Sequence, residues 1–236
     1  MVSELDPEDV RARVEKYFGA VPAREEIPQA PDPVLRAPLG GPLRDEVVEG
    51  VPAAGVFLCY RVPAYGERGF DVAHLLSAVL GQGQGSRLYR SLVVDRPIAA
   101  DDGGAAADVL PFRYTDSLLL VNMLARENVD GDTLEAEILA EVAKAAQGVT
   151  EEELDRARAV LERDHLQSIS GPAGLADSIS SCTQLFDDLE LALTWPTRWQ
   201  DITAEEVRAA AERLLVDENL LVVRFDPEPA ADAADA

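Results

Sequence analysis

Residues 54–93 read AGVFLCYRVPAYGERGFDVAHLLSAVLGQGQGSRLYRSLV, and the hydrophobic period changes within them. Ala54–Val62 is almost continuously apolar over a strand's length, which predicts a buried strand. Val72, Leu75, Leu76 and Val79 recur at helical spacing, so Phe70–Leu80 is predicted as a buried helix. The run Gly81-Gln82-Gly83-Gln84-Gly85 must break that helix, because glycines supply the positive φ angles a sharp turn needs. Ser86 then stands where a cap would open a second helix, with Leu88 and Leu92 on its inner face.

Working outward, Leu43–Val48 is predicted as a strand forming a pair with 54–62. Upstream, Val21–Pro42 is rich in proline, which removes backbone donors, so it is expected to be a stiff, mostly extended linker. Before it, Asp6 can cap a helix to Phe18, with Pro7 at its first position and Val10, Val14, Tyr17 and Phe18 on one face. Downstream, Ile98–Val109 is strand-like and small in its residues, and Ser117–Ala125 (SLLLVNMLA) is a strand. Leu134, Ile138 and Val142 mark a helix that Gly148 closes. Thr150 with Glu153 forms a capping box for a long helix to about Ile169, ended by Gly171-Pro172. A further helix runs from about Gly174 to Asp187. Thr203 with Glu206 forms another capping box, with Val207, Ala210, Ala211 and Leu214 facing inward, before a final strand, Leu220–Phe225. This order implies an α+β fold, with helices layered on one face of a mostly antiparallel sheet.

The chain of 236 residues is 47% hydrophobic and 28% charged, the balance of an ordinary globular protein. No run of about 18 apolar residues suggests a membrane span. The N-terminus lacks the basic-then-apolar pattern of a signal peptide, and no compartment is indicated. The net charge of −23 argues against nucleic acid and anionic membranes, whose phosphates would be repelled, and suits basic peptides or an electropositive partner. Its plainest reading is solubility. Cys59 and Cys182 stand far apart, so neither a zinc knuckle nor a CxxC redox pair is present, and both are expected as buried free thiols.

A catalytic zinc takes about three protein ligands, often including two histidines one helical turn apart. This sequence has two histidines in all, His74 and His165, in different predicted helices. Each is expected to be a packed or surface residue. No G-x-S-x-G elbow is present. The Gly81–Gly85 loop follows a helix rather than a strand and lacks the lysine of a phosphate loop. Asp101-Asp102 and Glu151–Glu153 read as solvated faces or first-turn helix residues. Trp195 and Trp199 read as one packing face.

Four segments in register carry a resemblance. They are residues 54–93, with an apolar strand ending in Arg61-Val62-Pro63, a glycine-rich loop and Ser86-Arg87-Leu88-Tyr89; Asp6–Pro22 (DPEDVRARVEKYFGAVP); Gly148–Leu161 (GVTEEELDRARAVL); and Asp201–Leu215 with Asn219–Asp226. Together they resemble the non-catalytic C-terminal, substrate-binding domain of pitrilysin/insulinase-type metallopeptidases, the family of the mitochondrial processing peptidase. That resemblance implies a bilobed clamshell in which another lobe carries H-x-x-E-H and zinc. It implies no catalytic residue and no cofactor in this chain. Residues 1–20 would be the closing helix of a preceding, absent domain, 21–42 a linker, 43–227 the substrate-binding domain and 228–236 an acidic Ala/Asp tail. The implied partners are the zinc-bearing lobe and a peptide substrate. In the family the non-catalytic lobe lends an Arg and a Tyr to the substrate carbonyl. Arg113 and Tyr114 stand about where these would lie, although adjacent rather than separated, and a strand-edge role competes. Gly81, Gly83 and Gly85 are the other candidates for substrate contact. A scaffold subunit of the same fold, without proteolysis, is the alternative function, and an unrelated acidic α+β binding domain is a third.

Overall fold

In the computed structural model, which describes residues 5–22, 39–101 and 106–228, five strands form one sheet. They are β1 (Leu43–Glu49), β2 (Gly55–Val62), β3 (Ala107–Leu110), β4 (Ser117–Leu124) and β5 (Leu220–Pro227), in the spatial order β1-β5-β2-β4-β3. Pairings β2–β4, β2–β5 and β3–β4 are antiparallel, and β1–β5 alone is parallel. The most apolar segment, β2, therefore takes the central place. The expected pairing of 43–48 with 54–62 does not form, because the C-terminal β5 inserts between them. A strand returning from the far end of the chain leaves no local trace in the sequence.

The helices are α1 (Pro7–Phe18), α2 (Arg68–Gly81), α3 (Gly131–Ala143), α4 (Glu151–Ser168), α5 (Pro172–Phe186), the short α6 (Leu191–Thr194) and α7 (Ala204–Leu214). None among the described residues is long and apolar enough to cross a membrane. Helix α2 packs against β3 and β4 on one side and α4 and α7 on the other. A helix covered all round must be apolar all round, and its residues from Phe70 to Gly81 are buried with the exception of His74. Val56, Leu58, Tyr60, Leu119, Val121 and Val222 turn toward this layer and are buried. Both expected capping boxes are present, Thr150 with Glu153 and Thr203 with Glu206. Arg224 on β5 is nearly buried beneath the start of α3, held by Asp226 at 2.7 Å and by Asp132.

Three local expectations change. After the glycine loop, residues 87–88 open a short helix that continues as a π-helical turn, Tyr89–Asp95. The Ser86 hydroxyl is buried with no hydrogen-bond partner among the described residues, so it does not cap. Among the described residues of 98–109, the strand begins at Ala107 and runs on to Leu110, with Ala99 bridging Ala125. Trp199 is buried, whereas the side chain of Trp195, most of the expected linker, Asp102 and most of the acidic tail lie outside the description.

Candidate functional site

Arg113 and Tyr114 lie in the turn between β3 and β4. The Ser117 hydroxyl closes that turn, accepting from the Phe112 amide at 2.9 Å and donating to its carbonyl at 3.2 Å. The Tyr65 amide donates to the same carbonyl at 2.8 Å, which fixes the turn against the β2–α2 loop. Tyr65 in turn stacks on Phe186 at the end of α5, with ring centroids 3.7 Å apart. That contact brings the last turn of α5 within reach, and Arg113 Nη1 donates to the Leu185 carbonyl at 3.0 Å. The bond uses one of five guanidinium donors. The Arg113 guanidinium also lies over the Tyr114 ring at 5.3 Å. Tyr114 itself is 69% exposed.

The glycine loop sits at the other end of β3. The Ala106 amide donates to the Gly81 carbonyl at 2.8 Å, and a Cβ on Gly81 would stand 2.1 Å from the Ala107 nitrogen. Only glycine lets the end of α2 approach the start of β3 so closely. Gly83 has φ +74°, and a Cβ on Gly85 would meet Arg156 Cδ at 2.6 Å. The structure thus places the two candidate groups at opposite ends of one edge strand rather than together.

Beside Gly85 opens a polar cavity of about 360 Å³ whose walls include Arg87, Arg90, Lys144 and Arg156, with Glu141 and Glu153 among them. Burial pushes the Glu153 carboxyl up, but the Arg87 guanidinium (2.7 and 2.8 Å) and the Thr150 amide outweigh it, bringing its pKa to about 2. These basic residues come from three separate segments, which is why no motif announced them.

Sequence reasoning also missed that both histidines line one cavity, of about 320 Å³, together with Asp108 and Asp164. His74 meets Trp199 edge-on at 5.4 Å, and burial lowers its pKa to about 4. Burial also lowers the pKa of His165, partly offset by a hydrogen bond with the Ala192 backbone. Among the described residues, no three His, Cys, Asp or Glu side chains are grouped to hold a metal ion. This donor set therefore does not fit a catalytic zinc. Cys182 is buried, whereas Cys59 is only half-buried, on the sheet face away from the helices.

Comparison with known proteins gives this geometry a context. The peptidase M16 inactive-domain model matches residues 1–161. The zinc protease PqqE of Helicobacter pylori is 28% identical over 181 residues, 74% of this chain and 40% of that protein. A solved Helicobacter pylori protease superposes with a TM-score of 0.79 at 21% identity, covering 96% of this chain and 54% of that one. The peptidase M16 inactive domain from Pseudomonas fluorescens superposes at 0.75 with 16% identity, covering 97% and 53%. The chain thus spans about half the length of these solved proteins and less than half of the curated relative.

Proposed function

As the chain belongs to the peptidase M16 inactive-domain family, we propose that it is the substrate-binding half of a zinc metallopeptidase and serves peptide cleavage only beside a zinc-bearing half. The observation that carries this reading is the donor set. A chain related to a zinc protease has, among the described residues, no group of three metal-ligating side chains. In this proposal the partner half holds the zinc, which polarises the scissile carbonyl and activates water.

The contribution of this chain is a second wall that orients the peptide and excludes water. Arg113 and Tyr114 offer a guanidinium and an exposed phenol as donors to the substrate carbonyl, where negative charge develops during attack. The Gly81–Gly85 loop, with the basic residues beside it, offers backbone and side-chain donors further along the peptide. The net charge of −23 favours basic peptides at longer range. One observation favours the scaffold reading instead: the bond from Arg113 to Leu185 gives that arginine a structural task.

Reconstitution tests the proposal. The chain alone is expected to hold no stoichiometric zinc and to cleave nothing, and an equimolar mixture with the matching zinc-bearing half is expected to cleave peptides. A zinc half equally active alone would remove the substrate-binding role and leave the scaffold reading. About one zinc held per chain, lost in His165→Ala, would refute the assignment of the metal to the partner.

A further inference from the structure

We propose that the cavity beside Gly85 is a subsite for one carboxylate of the bound peptide, gripped by Arg156 and Arg90. Such a subsite rests on the peptide-binding reading above and adds a specificity to it. The cavity opens where the π turn after the glycine loop, the end of α3 and the first turns of α4 converge. Four bases and three acids line it, and their pairing decides what it can hold. Two of the bases are already committed. Arg87 closes a fork on both oxygens of Glu153 and also donates to the Gly148 carbonyl at 2.6 Å. Lys144 Nζ donates to Glu141 at 2.6 Å.

Arg90 and Arg156 remain. Among the described residues, neither side chain makes a hydrogen bond or an ion pair. In a chain with 44 acidic residues against 21 basic ones, an arginine without a carboxylate is out of pattern. Arg158 and Arg208 each take an acid three residues before them on their own helix. Arg156 has Glu152 four residues before it, the spacing and order that pair best, and leaves it unused.

Gly85 accounts for where Arg156 goes instead. A Cβ at residue 85 would stand 2.6 Å from Arg156 Cδ and 2.9 Å from its Nε. Glycine there lets the half-buried side chain lie along the loop, in the wall of the cavity. Arg90 joins the same wall from the π turn Tyr89–Asp95. Against these two free cations stands Asp95 as the remaining acid, so the wall keeps a net positive charge.

A planar guanidinium presents parallel donors that match a carboxylate. The net charge of −23 repels free anions at long range, which disfavours small acids and polyanions as occupants. A carboxylate carried by an otherwise basic peptide is drawn in by the same field and then held at short range. The ligand is therefore a lone carboxylate within a basic peptide, supplied by an Asp or Glu side chain or by the C-terminus.

Calorimetric titration of the chain alone tests this with three N-acetylated peptides of lysine and alanine. One carries an internal Glu and an amidated C-terminus, the second has Gln in place of Glu, and the third has Gln and a free C-terminal carboxylate. A carboxylate-bearing peptide is expected to bind at least about tenfold more tightly than the Gln amide, as a charge-assisted hydrogen bond provides. The overall field favours the opposite order, so this preference reports the local cations. Preference for the first peptide assigns a side chain, and preference for the third the C-terminus. Arg156→Gln breaks no existing bond, so it should melt with wild type yet bind all three alike, whereas Arg156→Lys should keep part of the preference. Equal binding of the three by wild type, no binding of any, or a preference that survives in the Arg90→Gln, Arg156→Gln double variant would overturn the proposal. Cleavage of the Gln amide by the reconstituted peptidase would then leave the substrate-binding reading standing without this subsite. Carboxylate-selective binding with no cleavage on reconstitution would instead retain the subsite and remove the proteolytic role.

Discussion

Arg198 grips one oxygen of Asp71 with two hydrogen bonds, Nε at 3.0 Å and Nη2 at 2.8 Å, across 127 residues of sequence. Asp71 stands in the first turn of α2, and Arg198 in the 3₁₀ turn Trp195–Trp199. The pair therefore fastens the segment before α7 to the helix at the centre of the core. Arg198 also lies 5.5 Å over the Tyr65 ring, the ring that holds the end of α5. One ion pair thus supports the surroundings of Arg113.

Removing one partner of a buried pair leaves the other charge stranded, at a cost of about 3–5 kcal/mol. Asp71 is the more deeply buried member, so Arg198→Ala is expected to cost more than Asp71→Ala. Burial already pushes the Asp71 carboxyl up, against the pull of Arg198. Without Arg198 the carboxyl takes up its proton at still higher pH, and protonation removes the stranded charge. The deficit of Arg198→Ala relative to wild type should therefore shrink from pH 7 to about pH 5. Urea midpoints of both proteins at the two values check this, and a constant deficit would contradict it.

His74 gives a second pH dependence, of defined sign. Its folded pKa is lowered to about 4 from an ordinary value of 6.5. The unfolded chain then binds a proton that the folded chain refuses, so stability is full above pH 6.5 and falls as pH drops toward 4. The loss reaches roughly 3 kcal/mol at its limit. His165, lowered by burial as well, adds to the same window. Replacing His74 with Asn should lower stability at pH 7 yet flatten the decline between pH 6.5 and 4. A decline as steep as in wild type would place its cause elsewhere.

Much of the fold was legible because its signals are local. The capping boxes at Thr150 and Thr203 pair a hydroxyl with a glutamate three residues on, and the structure contains both. The apolar run of β2 and the four-sided burial of α2 follow from their composition. What stayed hidden depends on distant neighbours. No local pattern tells that β5 separates β1 from β2, or that His74 and His165 share a cavity. Ser86 resembles a cap by residue type, but the helix after it widens into a π turn, and its hydroxyl is buried with no hydrogen-bond partner among the described residues. The glycine loop reads as a sharp turn from its residues, whereas the reason for Gly81, the backbone of Ala107 against it, is a contact between segments distant in sequence.

The three loop glycines should separate by cost. A methyl on Gly81 would lie 2.1 Å from a backbone nitrogen that cannot turn aside, so Gly81→Ala is expected to destabilise by about 3 kcal/mol or more. Gly83→Ala must hold φ +74°, at about 1–2 kcal/mol. Gly85→Ala meets only the Arg156 side chain, which can swing away, so its cost should stay below about 1 kcal/mol. Thermal denaturation ranks the three. The mildest of them is also the informative one for function: a folded Gly85→Ala with impaired peptide capture would place the peptide against this loop.

Arg113 and Tyr114 can be separated from each other by how they are held. Tyr114 is largely exposed, so Tyr114→Phe should leave stability within about 0.5 kcal/mol of wild type. Arg113→Ala loses the bond to the Leu185 carbonyl, worth about 1 kcal/mol, while Arg113→Lys keeps the charge but not the planar fork. If the pair donates to the carbonyl under attack, the effect must appear in turnover. In the reconstituted peptidase, Tyr114→Phe is expected to lower kcat by up to about 10²-fold with KM little changed, as removal of an oxyanion donor does. Arg113→Ala should lower it similarly, with Arg113→Lys between. Because Tyr114→Phe leaves the fold alone, a fall in its kcat cannot be attributed to lost structure. Undiminished turnover in both Tyr114→Phe and Arg113→Ala, with only stability reduced in the latter, would make Arg113 a strut between the β3–β4 turn and α5. The work of holding the peptide would then pass to the loop at the other end of β3.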